Sequence, residues 1–167
     1  MNRPLQWTAA VLLALLTGAV SGQPSNSDSR DWPLPRNPKL LDELPEIQGV
    51  VSWRVLARAK EVRVDGKYVA EFSPEVIRLD QQEVSVQGYI MPIVAGERHQ
   101  HFLLTMRPPH CPFCLAIGPA FIVEVKTKTP IKHTLEPIVV SGRFNVLRDD
   151  PQGLFYRMTG AELGSIK

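Results

Sequence analysis

The amino-acid sequence predicts a mainly β protein that folds as one small, curved barrel of five strands. Three observations support this prediction. The chain has 167 residues, of which 44% are hydrophobic, and this is enough for one ordinary core but not for two. From Glu83 onward, apolar and polar residues alternate with a period of two. Two of the alternating stretches are each interrupted by a single glycine, which is typical of strongly bent strands.

Five segments have the alternation of half-buried strands and end at turn-forming residues. They are residues 83–93, 99–106, 120–126, 137–149 and 153–159. A turn through residues 95–97 joins the first two, and a turn through residues 149–153 precedes the last. The closing residues, 160–167, predict one helical turn.

The two glycines inside strands indicate where the sheet bends. Gly88 interrupts "VSVQGYI" and Gly142 interrupts "VVSGRFNV". Glycine within a strand usually marks a bulge or a tight bend. Two such bends among five short strands favour a barrel of the oligonucleotide/oligosaccharide-binding (OB) type, with an open five-stranded sandwich as the alternative. Such barrels carry many unrelated sites, so the fold predicts no function.

A short helix is expected before the barrel. Ser52 is a suitable N-cap, and Trp53 and Leu56 lie on one face at helical spacing. The alternative is one or two strands over residues 50–64, because the valines there alternate and Asp65-Gly66 is a turn signal. The sequence favours the helix slightly.

The N-terminal residues predict an export signal and a linker. Residues 1–22 have a basic start at Arg3, an apolar core over 9–16 and small residues after it. That core is shorter than the about 20 residues that a membrane-spanning helix needs, so we expect cleavage, with an uncleaved anchor as the alternative. Residues 23–46 are rich in proline and serine and predict a disordered linker. The remaining residues, 47–167, would form one domain in the periplasm, without stable membrane insertion.

Charge and motifs exclude several classes of function. The chain carries 19 basic and 17 acidic residues with no basic run, so we expect no nucleic-acid partner. It has no glycine-rich phosphate loop, no His-Glu-x-x-His and no Gly-x-Ser-x-Gly. No catalytic residue is assigned, and we expect a binding protein rather than an enzyme.

The cysteine motif is the strongest candidate for a site. Both cysteines of the chain, Cys111 and Cys114, are separated by two residues, which suits two thiolate ligands of a tetrahedral ion. His110 adjoins them. His101 and His99 lie two apart on a predicted strand, so their side chains leave the same face. We therefore predict a metal site from Cys111, Cys114, His110, His101 and His99, with zinc first and copper second; the fourth histidine, His133, is expected on the surface.

Two other roles for the cysteines stay open. In an oxidising compartment, Cys111 and Cys114 could form a structural disulfide. They could also serve in a thiol-disulfide or assembly factor for an envelope transporter, although Gly118-Pro119 leaves no room for the helix that lowers a thiol pKa in thioredoxin-type sites. A third class of function, protein docking through the barrel face and the linker, needs no cysteine chemistry.

The sequence also resembles a known family. The stretches "FSPEVIRLDQQEVSVQGYIMPI", "HFLLTMRPPHCPFCLAIGPAFIVEV" and "LEPIVVSGRFNVLRDDPQGLFYRM" resemble an uncharacterised family of exported bacterial proteins, a domain of unknown function. The resemblance covers residues 50–162, and its most specific part is the Cys-Pro-Phe-Cys turn between two strands. It implies a periplasmic accessory role beside an envelope ATP-driven (ABC) transporter, in zinc homeostasis. It assigns no catalytic residue.

Overall fold

Eight strands, two one-turn helices and a 3-10 turn form in residues 44–109 and 118–164, the part of the chain that the computed structural model describes. The elements are β1 (Val50–Val51), α1 (Trp53–Leu56), β2 (Ala59–Val64), β3 (Lys67–Phe72), α2 (Pro74–Ile77), β4 (Glu83–Pro92), β5 (Arg98–Thr105), a 3-10 turn (Pro119–Phe121), β6 (Ile122–Lys132), β7 (Ile138–Val146) and β8 (Tyr156–Leu163). No helix within these residues is long and apolar enough to span a membrane.

Five of the strands close into a barrel. The strands follow the order β4-β5-β6-β8-β7, and β7 pairs with β4 again to complete the ring. β6 and β8 are parallel, and the other neighbours in the ring are antiparallel. This is the Greek-key arrangement of an OB-type barrel, so the predicted fold class is confirmed. β1 adds to β4 in parallel at the rim.

Both strand glycines lie where the barrel bends, as the sequence predicts. Gly88 is the residue at which β4 leaves β7 and begins to pair with β5. A Cβ atom on Gly88 would lie 2.7 Å from the side chain of Leu104, so no larger residue fits without a shift. Gly142 lies within the register shift between β7 and β8, where a Cβ atom would lie 2.8 Å from the Cα atom of Ala161.

The helix and strand alternatives for residues 50–64 are each correct for a part of that segment. Ser52 caps α1, and its Oγ atom accepts a hydrogen bond from the Arg54 N–H at 3.1 Å. The helix lasts one turn, and β2 follows. Asp65 and Gly66 form the turn to β3, with φ angles of 50° and 83°. Neither β3 nor α2 was predicted from the sequence.

β6 and β8 both extend beyond their predicted C-terminal ends. β6 continues past Lys126 to Lys132, because its second half pairs with the start of β5. Residues 160–163 belong to β8 and form no helical turn, so that prediction was wrong. The extended conformation is favoured there because Ala161 pairs with Thr127 of β6 and Leu163 pairs with Val140 of β7.

A cluster of aromatic side chains in the core connects α1 to the barrel. Tyr156 is fully buried, and its hydroxyl donates a 2.6 Å hydrogen bond to the carbonyl of Leu56 at the end of α1. Phe72, Phe144 and Phe155 pack around the Tyr156 ring. Leu44, near the end of the predicted linker, is also buried in this core. The predicted signal, residues 1–22, and residues 23–43 of the linker lie outside the described residues.

Candidate functional site

The outer face of the barrel carries a buried carboxylate at its centre. Val123 and Val125 of β6 point into the core and are fully buried, so the intervening Glu124 points outward. Glu124 pairs with Leu103 of β5 and with Arg157 of β8. Its side chain is nevertheless only 4% exposed. A charge that is buried to this degree requires partners that neutralise it.

Three cationic or imidazole groups surround the Glu124 carboxylate. The Nε2 atom of His101 lies 2.7 Å from Oε1, and the Nζ atom of Lys126 lies 3.4 Å from the same oxygen. The guanidinium of Arg157 donates a hydrogen bond to Oε2. Burial by itself raises the pKa of Glu124, but the hydrogen bonds from Arg157 and His101 and the charges of Arg157 and Lys126 hold it below its usual value. The carboxylate is therefore ionised at neutral pH.

Arg157 connects this carboxylate to the loop between β7 and β8. Its second contact is with the Oδ1 atom of Asp150, at 3.1 Å. The Oδ2 atom of Asp150 accepts hydrogen bonds from the backbone N–H groups of Gln152 and Leu154, at 3.0 Å and 3.3 Å. The Asp150 side chain is 7% exposed, so the loop is fixed against the barrel face by a largely buried ion pair.

The contact with Glu124 determines the hydrogen position on His101. An ionised carboxylate can only accept, so Nε2 carries the hydrogen and the lone pair of the neutral ring lies on Nδ1. The His101 side chain is 49% exposed. An imidazole whose one nitrogen donates to a carboxylate and whose other nitrogen is available is the arrangement that metal-ligating histidines show.

His99 and His133 form a second imidazole pair, separate from His101. Their rings meet edge to face with centroids 5.6 Å apart. His99 is buried, and His133, which was expected on the surface, is half-buried. The Nε2 atom of His99 and the Nδ1 atom of His133 are buried and have no hydrogen-bond partner.

The predicted site residues thus have different neighbours. His101 contacts Glu124 near the middle of β5, whereas His99 contacts His133 at the start of β5, and the segment that contains the cysteines follows the end of β5. Residues Cys111, Cys114 and His110 lie outside the described residues. Within residues 44–109 and 118–164, no three His, Cys, Asp or Glu side chains are grouped so that they could hold a metal ion.

Glu124 and Arg157 were not predicted as site residues from the sequence. Each is a single charged residue on the outward face of an alternating strand, and such residues are usually solvated. A sequence signal would have been the pairing of opposite charges on neighbouring strands, and this requires the strand register.

The fold and the site define a small OB-type barrel protein with a carboxylate-oriented histidine on its outer face. No protein-family model matches this chain. No curated protein matches it either. A DUF3299 family protein from Pseudomonas aeruginosa PAO1, with a crystal structure at 2.45 Å resolution, is similar to this chain, with 25% sequence identity and a TM-score of 0.42 over 59% of this chain and 69% of that chain. Membership of an uncharacterised domain family stays a prediction.

Proposed function

We propose that the protein binds a transition-metal ion through His101, with Cys111, Cys114 and His110 as further ligands from the segment after β5. The observation that supports this proposal is the 2.7 Å contact between the Nε2 atom of His101 and the buried Glu124 carboxylate. That contact leaves Nδ1 as the donor nitrogen and holds the ring in one orientation. A histidine that serves only as a solvated surface residue needs no buried carboxylate behind it.

The charges around Glu124 are consistent with an orienting role. Arg157 and Lys126 together carry the two positive charges that balance Glu124 and Asp150. A neutral imidazole is the form that binds metals. Two thiolates and one or two imidazoles are ligands that zinc accepts in tetrahedral geometry, and Cu(I) also prefers soft donors. We therefore propose zinc first and copper second.

The wider role is also a proposal. An exported chain that binds zinc in the periplasm would serve as an accessory of an envelope ABC transporter, by delivering or sensing the ion. The family resemblance in the sequence supports this role, and the fold is compatible with it because OB-type barrels present one face to ligands or partners.

Zinc uptake by the full chain tests the metal-binding proposal. Native mass spectrometry with added zinc should show one bound ion in the wild type. At one equivalent of zinc, the double variant Cys111→Ser/Cys114→Ser should lose this ion, and His101→Gln should bind it at least about tenfold more weakly. Equal uptake by the double variant and the wild type would refute the assignment.

The orienting role of Glu124 has its own test. The Glu124→Gln variant keeps the size of the side chain but removes the charge, and we expect zinc affinity to fall by about 10- to 100-fold. The matched control is Glu162→Gln, which removes an exposed carboxylate that contacts Lys128 at 2.9 Å. If both variants bind zinc like the wild type, the Glu124 contact is structural only. Circular dichroism establishes that each variant is folded.

The free-thiol count distinguishes the alternatives. Protein that is prepared anaerobically with a chelator should show two reactive thiols if the cysteines are ligands. A disulfide that persists under mild reductants would indicate a structural role, and a reduction potential near those of exchange catalysts would indicate thiol-disulfide exchange. Partner binding that survives removal of both cysteines would favour the docking role.

A further inference from the structure

His99 and His133 bury two imidazole nitrogens that have no partner. His99 is only 5% exposed, and its Nε2 atom is buried without a hydrogen bond. The Nδ1 atom of His133, on the adjoining ring, is also buried and also has no hydrogen-bond partner. Buried polar atoms are nearly always paired, and an unpaired one in a native protein requires an explanation such as a bound ion or water. Two such atoms on rings in contact indicate one shared explanation.

The backbone holds these rings in place. The N–H of His133 donates a 2.8 Å hydrogen bond to the carbonyl of Glu97, which ties the loop after β6 to the loop between β4 and β5. His99 pairs with Ile131 in the sheet. A Cβ atom on Gly96 would lie 3.7 Å from the Cε1 atom of His99, so the loop lies against the ring. Both rings are thus supported by strand or loop backbone before any ligand binds.

The separation of the rings suits a bridging ion. An ion that is bonded to one imidazole nitrogen at about 2.0–2.1 Å lies about 3.2 Å from the centroid of that ring. Two rings on one ion at tetrahedral to trigonal angles would then have centroids about 5.2 to 5.5 Å apart. The observed separation is 5.6 Å.

We propose that His99 and His133 form a second metal site that binds a divalent transition-metal ion, Cu(II) most tightly. Imidazole nitrogen suits copper, nickel and zinc, and copper forms the strongest complexes in the divalent series. The site is independent of the cysteines and of His101, so it goes beyond the function proposed above. With two protein ligands, the ion keeps water or a substrate group at its remaining positions.

Cu(II) binding by a chain that lacks three of the four donors of the first site, with His110 alone retained, tests this proposal. The triple variant Cys111→Ser/Cys114→Ser/His101→Gln should still bind one Cu(II), and pulsed electron paramagnetic resonance should show the remote nitrogens of two imidazoles. Adding His133→Gln should weaken Cu(II) binding at least about tenfold and remove one imidazole signal. The matched control is Glu136→Gln in the same loop, which should change the affinity less than about twofold.

The outcomes separate this proposal from the first one. Loss of zinc binding in the double cysteine variant leaves the second site unaffected, so either proposal can fail alone. If the triple variant binds no Cu(II), or if His133→Gln leaves its affinity and signal unchanged, the second site is refuted and a buried water explains the nitrogens. If the triple variant does not fold, His133→Gln in the otherwise unchanged chain should lower the Cu(II) stoichiometry by one, and an unchanged stoichiometry is equally a refutation.

Discussion

The tight packing around Gly142 in the barrel wall predicts a large loss of stability from one methyl group. In Gly142→Ala, the new Cβ atom would lie 2.8 Å from the Ala161 Cα atom, 3.0 Å from the Thr159 carbonyl oxygen and 3.1 Å from the Ala161 Cβ atom. Two of these three atoms are backbone and cannot rotate away. Overpacking of this kind costs about 1–3 kcal/mol, and the rigid neighbours favour the upper part of that range.

The lower entropy of the unfolded alanine chain recovers about 0.4–1 kcal/mol, so the net loss should be about 2 kcal/mol. At about 4 °C per kcal/mol for a domain of this size, the Tm should fall by about 8 °C. Urea unfolding measures this loss directly when the slope of the unfolding free energy against urea concentration is the same in both chains. The control is Gly96→Ala, where the nearest atom to the new Cβ would be 3.7 Å away, and its stability should be unchanged or slightly raised. If the free energy of unfolding of Gly142→Ala lies within about 0.5 kcal/mol of the wild type, which is about 2 °C in Tm, the bend assigned to this position is contradicted.

Two further predictions concern buried polar groups. Tyr156→Phe leaves the Leu56 carbonyl without its 2.6 Å hydrogen bond and should lower the free energy of unfolding by about 1–2 kcal/mol in urea titrations, with Tyr68→Phe on the exposed hairpin as the neutral control. Glu124 has a pKa below its ordinary 4.5 in the folded chain, so its contribution to stability is full above the unfolded pKa and is lost as the pH falls through the folded pKa. The unfolding midpoint should therefore decrease as the pH is lowered below about 4.5. A Glu124→Gln chain with the same decrease would exclude Glu124 as its source.

The barrel could be predicted from the sequence because its signals are local. Alternation defines each of the five strands within a short window, and Gly88 and Gly142 mark the bends without reference to other residues. The strand ends were less accurate, because β6 past Lys126 is extended by pairing with β5 rather than by its own pattern. The hairpin of β2 and β3 was missed in part since β3 directly follows a turn and then enters α2.

The surroundings of Glu124 could not be predicted because they depend on register. Glu124 lies 33 residues before Arg157, and Asp150 lies seven residues before it. Each of the three has the pattern of an ordinary surface residue. They meet because β6 and β8 pair in parallel with Glu124 opposite Arg157, and this pairing exists only after the barrel closes. The same closure buries the carboxylate and makes its partners obligatory.

A bulge in β6 explains why His99 and His101 have different neighbours although they lie two residues apart. His101 pairs with Lys126 but His99 pairs with Ile131, so β6 contributes more residues than β5 between these two positions. Two backbone carbonyls in the bulge have local hydrogen-bond partners, because the side-chain amide of Gln100 donates to the carbonyls of Thr127 and Lys128 at 3.0 Å and 3.1 Å.

A period-two argument places alternate side chains on one face, but it fixes their surroundings only while the neighbouring strand stays in step. Beyond the bulge, His99 meets the loop that carries His133, whereas His101 stays beside Glu124. The register shift between β5 and β6 therefore gives the two histidines separate environments, and for this reason we propose two separate metal sites.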